Sequence, residues 1–287
     1  MLESIINPKR AEKGPWKMFF VGLVYASLSL LLVHFLFAHD NILSSSSGLL
    51  VVLFCVIFSL PFMYYVIKNE ESQDEETNSL KEVLMVHSDA ILAFMFLFFG
   101  FIVAFSFWNI ILQNPNLLNL QIQTYCSINN PGNIEACVAE YSFTGNVISG
   151  NTLNNGTRLL SIIGNNFGVM ILTLIFSLLF GAGAIFILAW NASVISAAIG
   201  IFVNYNIYEI PFGIFRYMIH GFPEIAAYFI VALAGGMLGV EVIKNGFGSP
   251  KFTKVLTNVI FLVLIAIAIL VAAAFIEVYL TPLLFNS

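Results

Sequence analysis

The sequence predicts an all-α integral membrane protein, a polytopic bundle of six or seven transmembrane helices. Of the 287 residues, 59% are hydrophobic and only 9% are charged, whereas soluble domains usually carry roughly 25% charged residues. The mean hydropathy is +0.93. Several apolar runs reach the ~20 residues that a helix needs to cross a bilayer core about 30 Å thick. This composition excludes a nucleic-acid-binding protein and makes the lipid bilayer the main partner.

The first predicted region, residues 1–89, contains two spans and an acidic segment. The run from Met18 to Ala38 is longer than a signal-peptide core of about 7–15 residues. Because it follows basic residues, we expect a retained anchor with a cytoplasmic N-terminus. A second span runs from Gly48 to Ile67. The charged segment KNEESQDEETNSLKEV that follows is typical of a solvated cytoplasmic face.

The second predicted region, residues 90–287, begins with a span that ends near Leu112. Residues 113–164 are rich in Asn, Ser, Thr and Gly, and we expect them to form an extracytoplasmic loop. Cys126 and Cys137 lie in this loop. Two cysteines at this spacing favour a disulfide, which is stable only in an oxidising compartment. Two free thiols are the alternative.

The apolar sequence from Phe167 to Ile207 spans about 40 residues, too many for one helix of about 20. We expect a break at WNAS, residues 190–193, with one span ending before it and a shorter one continuing to about Val203. Small residues on both sides of the break allow membrane helices to approach closely. These predicted packing residues are Gly181, Gly183, Ser196 and Gly200.

The basic residues distinguish six crossings from seven. With seven, only Arg158 and Arg216 of the eleven Lys and Arg residues lie outside, as the positive-inside rule favours. Six crossings would export the basic turn at residues 244–254. We therefore predict seven spans in the cell membrane, or six together with a broken or re-entrant segment around residues 192–218.

The stretch HGFPE, residues 220–224, places a histidine and a carboxylate four residues apart in apolar sequence. Gly221 and Pro223 favour a helix start, and Glu224 suits the positive end of the helix dipole. We therefore predict that a spanning helix begins here and continues to Ile243. Its predicted packing residues are Gly235, Gly236 and Gly239.

An ionisable side chain at membrane depth is costly, so Glu224 needs a partner, and His220 and Arg216 are nearest in sequence. Asn191, at the predicted break, is a fourth candidate site residue. Three roles stay open: a structural pair or cap, a ligand, ion or proton site, and catalysis. Catalysis has the least support, because the sequence has no HExxH helix and no nucleophile elbow. We predict no enzyme, no metal and no cofactor.

Several of these stretches together resemble the stage II sporulation protein M (SpoIIM) family, especially its archaeal members. They are Asn165-Asn166, GAG at 181–183, Asn191, HGFPE and AGG at 234–236. The resemblance covers the chain from about Ala90 to the C-terminus, after two additional spans. In spore-forming bacteria it implies a scaffold that works with a peptidoglycan-degrading partner and another membrane protein during engulfment.

Three functions remain open at this point. The first is a non-enzymatic scaffold or assembly subunit, whose loop at 113–164 would meet membrane or extracytoplasmic proteins, or a second copy of the chain. The second is a transporter or channel in which a broken helix lines a site near HGFPE. It predicts a water-accessible cavity that reaches Glu224. A membrane hydrolase is the third, and it would need a nucleophile or metal near His220.

Overall fold

The computed structural model describes residues 14–37, 40, 42–73, 88–114, 116–129, 132–141, 155–180 and 184–285. Within these ranges all regular secondary structure is helical, and seven helices are long and apolar enough to cross a membrane. The chain is therefore an all-α polytopic bundle, as its composition and apolar runs predicted.

The first long helix packs against the next two, which both also contact the second half of the chain. These three helices are α1 (Lys17–Leu36), α2 (Ser47–Gln73) and α3 (Ser88–Leu112). The α1 and α3 backbones touch where Gly22 lies against the carbonyl of Leu97 and Gly100 lies against the carbonyl of Phe19. A Cβ at either glycine would collide with a backbone oxygen. This close contact was not predicted from the sequence.

Two short helices, α4 (Asn119–Asn129) and α5 (Ile134–Tyr141), form a hairpin at one end of the bundle. A disulfide between Cys126 and Cys137 joins them, with Cα atoms 5.8 Å apart. We call this end of the bundle the hairpin end. In its described parts, the loop expected at residues 113–164 is thus largely helical, and its apolar side chains pack as a small cluster around the disulfide.

The α4–α5 hairpin is fixed to the bundle by side-chain hydrogen bonds. Gln121 is fully buried, and its Nε2 donates to the Gly48 carbonyl at 2.9 Å and to the Ser193 hydroxyl at 3.1 Å. On the other side, the Tyr205 hydroxyl donates to the Tyr141 carbonyl at 3.1 Å. Burial raises the pKa of Tyr205 to about 12, so this hydroxyl keeps its proton at neutral pH.

The remaining helices form the half of the bundle that contains the site. They are α6 (Asn155–Phe180), α7 (Ala184–Phe202), α8 (Ile210–Asn245), α9 (Pro250–Phe275) with a π-helical turn at Ile276–Leu280, and α10 (Thr281–Phe285). α6 begins at Asn155, so the last ten residues of the expected loop belong to this helix.

The predicted break at residues 190–193 is wrong, because α7 passes through it without interruption. Asn191 donates to the Ile187 carbonyl at 2.7 Å, and Ser193 donates to the Trp190 carbonyl at 2.7 Å. Both polar side chains therefore bond to their own helix, which allows them to sit inside an apolar span. The preceding helix ends at Phe180. Gly181 and Gly183, predicted as packing residues, lie outside the described residues.

The predicted helix start at HGFPE is also wrong. α8 contains 36 residues, and Pro223 lies inside it. Proline removes one backbone hydrogen bond, but membrane helices tolerate this where neighbouring helices surround them. The helix begins instead at Ile210, and Pro211 lies in its first turn. At about 1.5 Å per residue α8 is roughly 54 Å long, well beyond a bilayer core of about 30 Å.

Candidate functional site

A polar cavity of about 160 Å³ lies inside the bundle at the hairpin end. Side chains from α4, α6, α7, α8, the π-helical turn after α9 and α10 line it. The end of α7 lies at the hairpin end, and Asn191, which also lines the cavity, is eleven residues before that end. The cavity therefore extends well into the bundle. Its ionisable lining residues, apart from three tyrosines, are Arg158, Arg216, His220, Glu224 and Glu277.

One face of α8 supplies most of the polar lining. Arg216, His220, Glu224 and Tyr228 follow one another at intervals of four residues, so they lie one above another on the helix. All four line the cavity. Asn191 of α7 lines the same cavity. The structure therefore brings together the four candidate site residues predicted from the sequence, which are Asn191, Arg216, His220 and Glu224.

Glu224 is bound by an asparagine that the sequence analysis did not consider as its partner. The Asn166 Nδ2 of α6 donates to the Glu224 Oε1 at 2.8 Å, and Asn165 donates to the Asn166 side chain at 3.3 Å. Among the described residues, no cationic nitrogen lies within 4.0 Å of the Glu224 carboxylate. The expected pairing with His220 or Arg216 is thus replaced by an uncharged partner on another helix.

The π-helical turn after α9 brings a second carboxylate into the cavity. Glu277 lies in this turn, and its Oε1 is 4.0 Å from the Nη2 of Arg158. Thr281, just after the turn, donates to the Ile276 carbonyl at 3.1 Å and lies 3.4 Å from the Nδ1 of His220. Single π turns within helices occur frequently at functional sites.

Sequence reasoning missed Arg158, Asn166 and Glu277 as site residues. A lone acidic residue in the last apolar span was the available signal for Glu277, because charges within spans are rare and mark functional positions. The sequence indicated Arg158 only as a basic residue on the extracytoplasmic side. Among the described residues, no group of three or more His, Cys, Asp or Glu could hold a metal ion.

Arg216 is oriented by aromatic rings. Its guanidinium carbon lies 4.2 Å from the centroid of the Phe202 ring and 5.7 Å from that of Phe285. Such contacts stabilise a cation by about 0.5–2 kcal/mol. The end of α7 and the short α10 therefore hold this arginine at the edge of the cavity.

Helix α4 of the hairpin covers the cavity at the hairpin end. Tyr125, Ile128 and Asn129 of α4 are part of the lining, and burial raises the pKa of Tyr125. The disulfide lies one residue from this tyrosine. The covalently closed hairpin is thus the roof of the site.

Away from the cavity, α8 packs against α6 through glycines. A Cβ at Gly235 would lie 2.8 Å from the Leu174 carbonyl oxygen, and one at Gly239 would lie 2.5 Å from that of Leu178. Gly236 has more space, with its nearest neighbour, the Ser177 hydroxyl, at 3.7 Å. Only the first two glycines permit a backbone contact.

Ser196 and Gly200 of α7 face α3 in a similar way. The Ser196 hydroxyl is shared between the Ala192 carbonyl of its own helix, at 2.8 Å, and the Ile102 carbonyl of α3, at 3.1 Å. A Cβ at Gly200 would lie 2.8 Å from the amide nitrogen of Asn109. These small residues hold α7 against α3, while the opposite face of α7 lines the cavity.

A family model described as Stage II sporulation protein M matches residues 49–282. The match includes α2, so it begins earlier than the position near Ala90 at which the resemblance was predicted to start. No curated protein and no solved structure matches the chain.

Proposed function

This chain belongs to the stage II sporulation protein M family, and we propose that it is a non-enzymatic membrane protein that binds a small polar solute in its cavity. It would act as a carrier or a solute receptor. The observation that supports this is the convergence of Arg158, Arg216, Glu224 and Glu277 on one cavity inside a membrane bundle. Ionisable residues in spans are costly and usually line substrate or ion paths.

We propose that the hairpin end faces the outside of the cell membrane. The disulfide between Cys126 and Cys137 is stable only in an oxidising compartment. The same orientation keeps the basic residues of the turn at 244–254 in the cytoplasm, as the positive-inside rule favours. A solute would then reach the cavity from the extracytoplasmic side, beside the α4–α5 hairpin.

Pro223 supports motion of the site during binding. It removes one backbone hydrogen bond in the middle of α8, directly beside Glu224. A helix with a missing bond bends more easily at that point. The cavity half of α8 is therefore the part that would move when a solute enters.

Cysteine labelling in sealed cells tests this function. Glu224→Cys and, as its matched control on the same helix, Val231→Cys are made with Cys55→Ser, because the fully buried Cys55 is the one free cysteine among the described residues. We expect a membrane-impermeant thiol reagent to label position 224 but not the fully buried position 231. A position 224 that stays unlabelled in folded protein would exclude a solute site open to the outside.

A scaffold is the second candidate, and the fixed α4–α5 hairpin favours it. The hairpin exposes polar side chains such as Gln123 and Glu135 on a segment closed by a disulfide, as a docking surface for an extracytoplasmic partner requires. Native gel electrophoresis of mildly solubilised membranes separates the two functions. A scaffold predicts a large complex that Gln123→Lys or Glu135→Lys dissociates and Glu224→Gln leaves intact. A solute-binding protein predicts no such dependence on the hairpin surface.

A further inference from the structure

We infer that the cavity binds a small zwitterion of the amino-acid type, with its ammonium group against Glu224 and its carboxylate against Arg158. This inference rests on the proposed solute-binding function and specifies the class of solute. It depends on four features of the site: the contacts of the Glu224 carboxylate, the contacts of the Arg158 guanidinium, the balance of charges, and the volume.

The contacts of Glu224 favour a cationic group of the ligand. An ionised carboxylate offers about four acceptor positions, and the Glu224 side chain accepts one hydrogen bond, from Asn166. That donor is an uncharged amide. An ammonium group supplies both the positive charge and up to three N–H donors, so it complements the remaining oxygen lone pairs.

The contacts of Arg158 favour an anionic group of the ligand. Its closest carboxylate oxygen, on Glu277, is 4.0 Å away, which is longer than a hydrogen bond. The Arg158 side chain is 39% exposed and lines the cavity. A guanidinium binds a carboxylate through two parallel N–H bonds, and a ligand carboxylate would make these bonds.

The charges of the lining favour a ligand without net charge. The two arginines and two glutamates that line the cavity cancel formally, with His220 counted as neutral. A ligand with a net charge would leave an uncompensated charge inside the bundle, which is expensive in low-dielectric surroundings. A zwitterion satisfies both signs and adds no charge.

The volume limits the ligand to a few atoms. The cavity measures about 160 Å³, whereas pockets for drug-sized ligands measure roughly 300–1,000 Å³. An engineered protein cavity of about 150 Å³ holds one benzene molecule, that is, about six non-hydrogen atoms. Glycine, alanine and serine are zwitterions of this size.

Titration calorimetry with the full chain in lipid nanodiscs tests the inference. Alanine is compared with lactate, which lacks the ammonium group, and with isopropylamine, which lacks the carboxylate. We expect alanine to bind at least tenfold more tightly than either analogue. Glu224→Gln and Arg158→Gln should each weaken alanine binding at least tenfold, whereas the exposed Lys251→Gln, at the opposite end of the bundle, should leave it unchanged.

The outcomes separate the ligand class from the proposed function. If lactate or isopropylamine binds wild-type protein as tightly as alanine, the zwitterion is wrong and the solute site stands. If none of the three binds while position 224 is labelled from outside, the inference is again overturned and an accessible cavity remains. If none of the three binds and position 224 is also not labelled, the proposed solute-binding function fails too. Because alanine, lactate and isopropylamine are compared on wild-type protein, this comparison tests the inference even if a variant does not fold.

Discussion

The two halves of α8 meet the same neighbour, α6, in opposite ways. At the hairpin end, Glu224 reaches Asn166 through a side-chain hydrogen bond of 2.8 Å beside a cavity. Toward the other end, Gly235 and Gly239 bring the two backbones into contact. Close backbone packing in one half therefore fixes the helix pair. The other half can then keep polar groups and open volume, because the glycine contacts hold the two helices together.

The largest effect is expected from disrupting the glycine contacts between α8 and α6. Gly239→Ala places a Cβ 2.5 Å from the Leu178 carbonyl oxygen, and a backbone atom cannot move aside cheaply. Overpacking of this kind costs about 3 kcal/mol. We expect a large fall in the melting temperature and in the monodisperse fraction on size-exclusion chromatography.

Gly236→Ala is the matched control for that change. Its Cβ would lie 3.7 Å from the Ser177 hydroxyl, an ordinary contact, and alanine has the better helix propensity by about 1 kcal/mol. We expect a melting temperature equal to that of the wild type or slightly higher. Equal destabilisation by both alanines would contradict the proposed role of the Gly235 and Gly239 contacts.

The next largest effect is expected at the α4–α5 hairpin, which covers the cavity. Cys126→Ser with Cys137→Ser removes a cross-link across eleven positions, and loops of this size are stabilised by about 3 kcal/mol or less. We expect a lower melting temperature and faster proteolysis of the α4–α5 hairpin, with the α6–α8 glycine contact unaffected. Reducing agent should lower the wild-type melting temperature and leave the double variant unchanged.

A smaller effect is expected from the side-chain contact that joins α6 and α8 at the cavity. Asn166→Leu leaves the Glu224 carboxylate without its donor, and a hydrogen bond to a charged group contributes about 2 kcal/mol. We expect a double-mutant cycle with Glu224→Leu to show coupling of that size in the free energy of unfolding. Additive effects of the two substitutions would mean that the bond contributes nothing.

The smallest effect is expected at Tyr205, which ties the hairpin to the bundle. Tyr205→Phe removes the hydrogen bond to the Tyr141 carbonyl, at a cost of about 1 kcal/mol. Because burial raises the pKa of Tyr205 to about 12, while an unfolded tyrosine titrates near 10, the unfolded state loses this proton first. Stability from this group is therefore present below pH ~10 and is lost between pH ~10 and ~12.

Thermal melts across this pH range measure the contribution of Tyr205. The wild type should lose more stability than Tyr205→Phe as the pH rises from about 10 to about 12. Parallel curves for the two proteins would show that ionisation of Tyr205 is not linked to unfolding.

Local sequence signals were reliable where they depend on composition and misleading where they depend on single residues. The apolar runs and the basic residues predicted seven spans, or six with a re-entrant segment, and the described residues contain seven suitable helices. Pro223 and the polar residues at 190–193 indicated a helix start and a break, yet each lies inside a long helix. Buried helices tolerate such residues, because side chains and neighbouring helices replace the missing backbone bonds.

Hydropathy is a local property, so the sequence alone was sufficient to predict the membrane class and the approximate spans. The polar face of α8 and its contacts depend on how the helices pack. The Asn166–Glu224 bond joins residues 58 positions apart, and Arg158 lies 4.0 Å from Glu277, which is 119 positions later in the chain. Pairing at such distances follows from how whole helices pack, through glycine contacts and a π turn, and no short stretch of sequence specifies it.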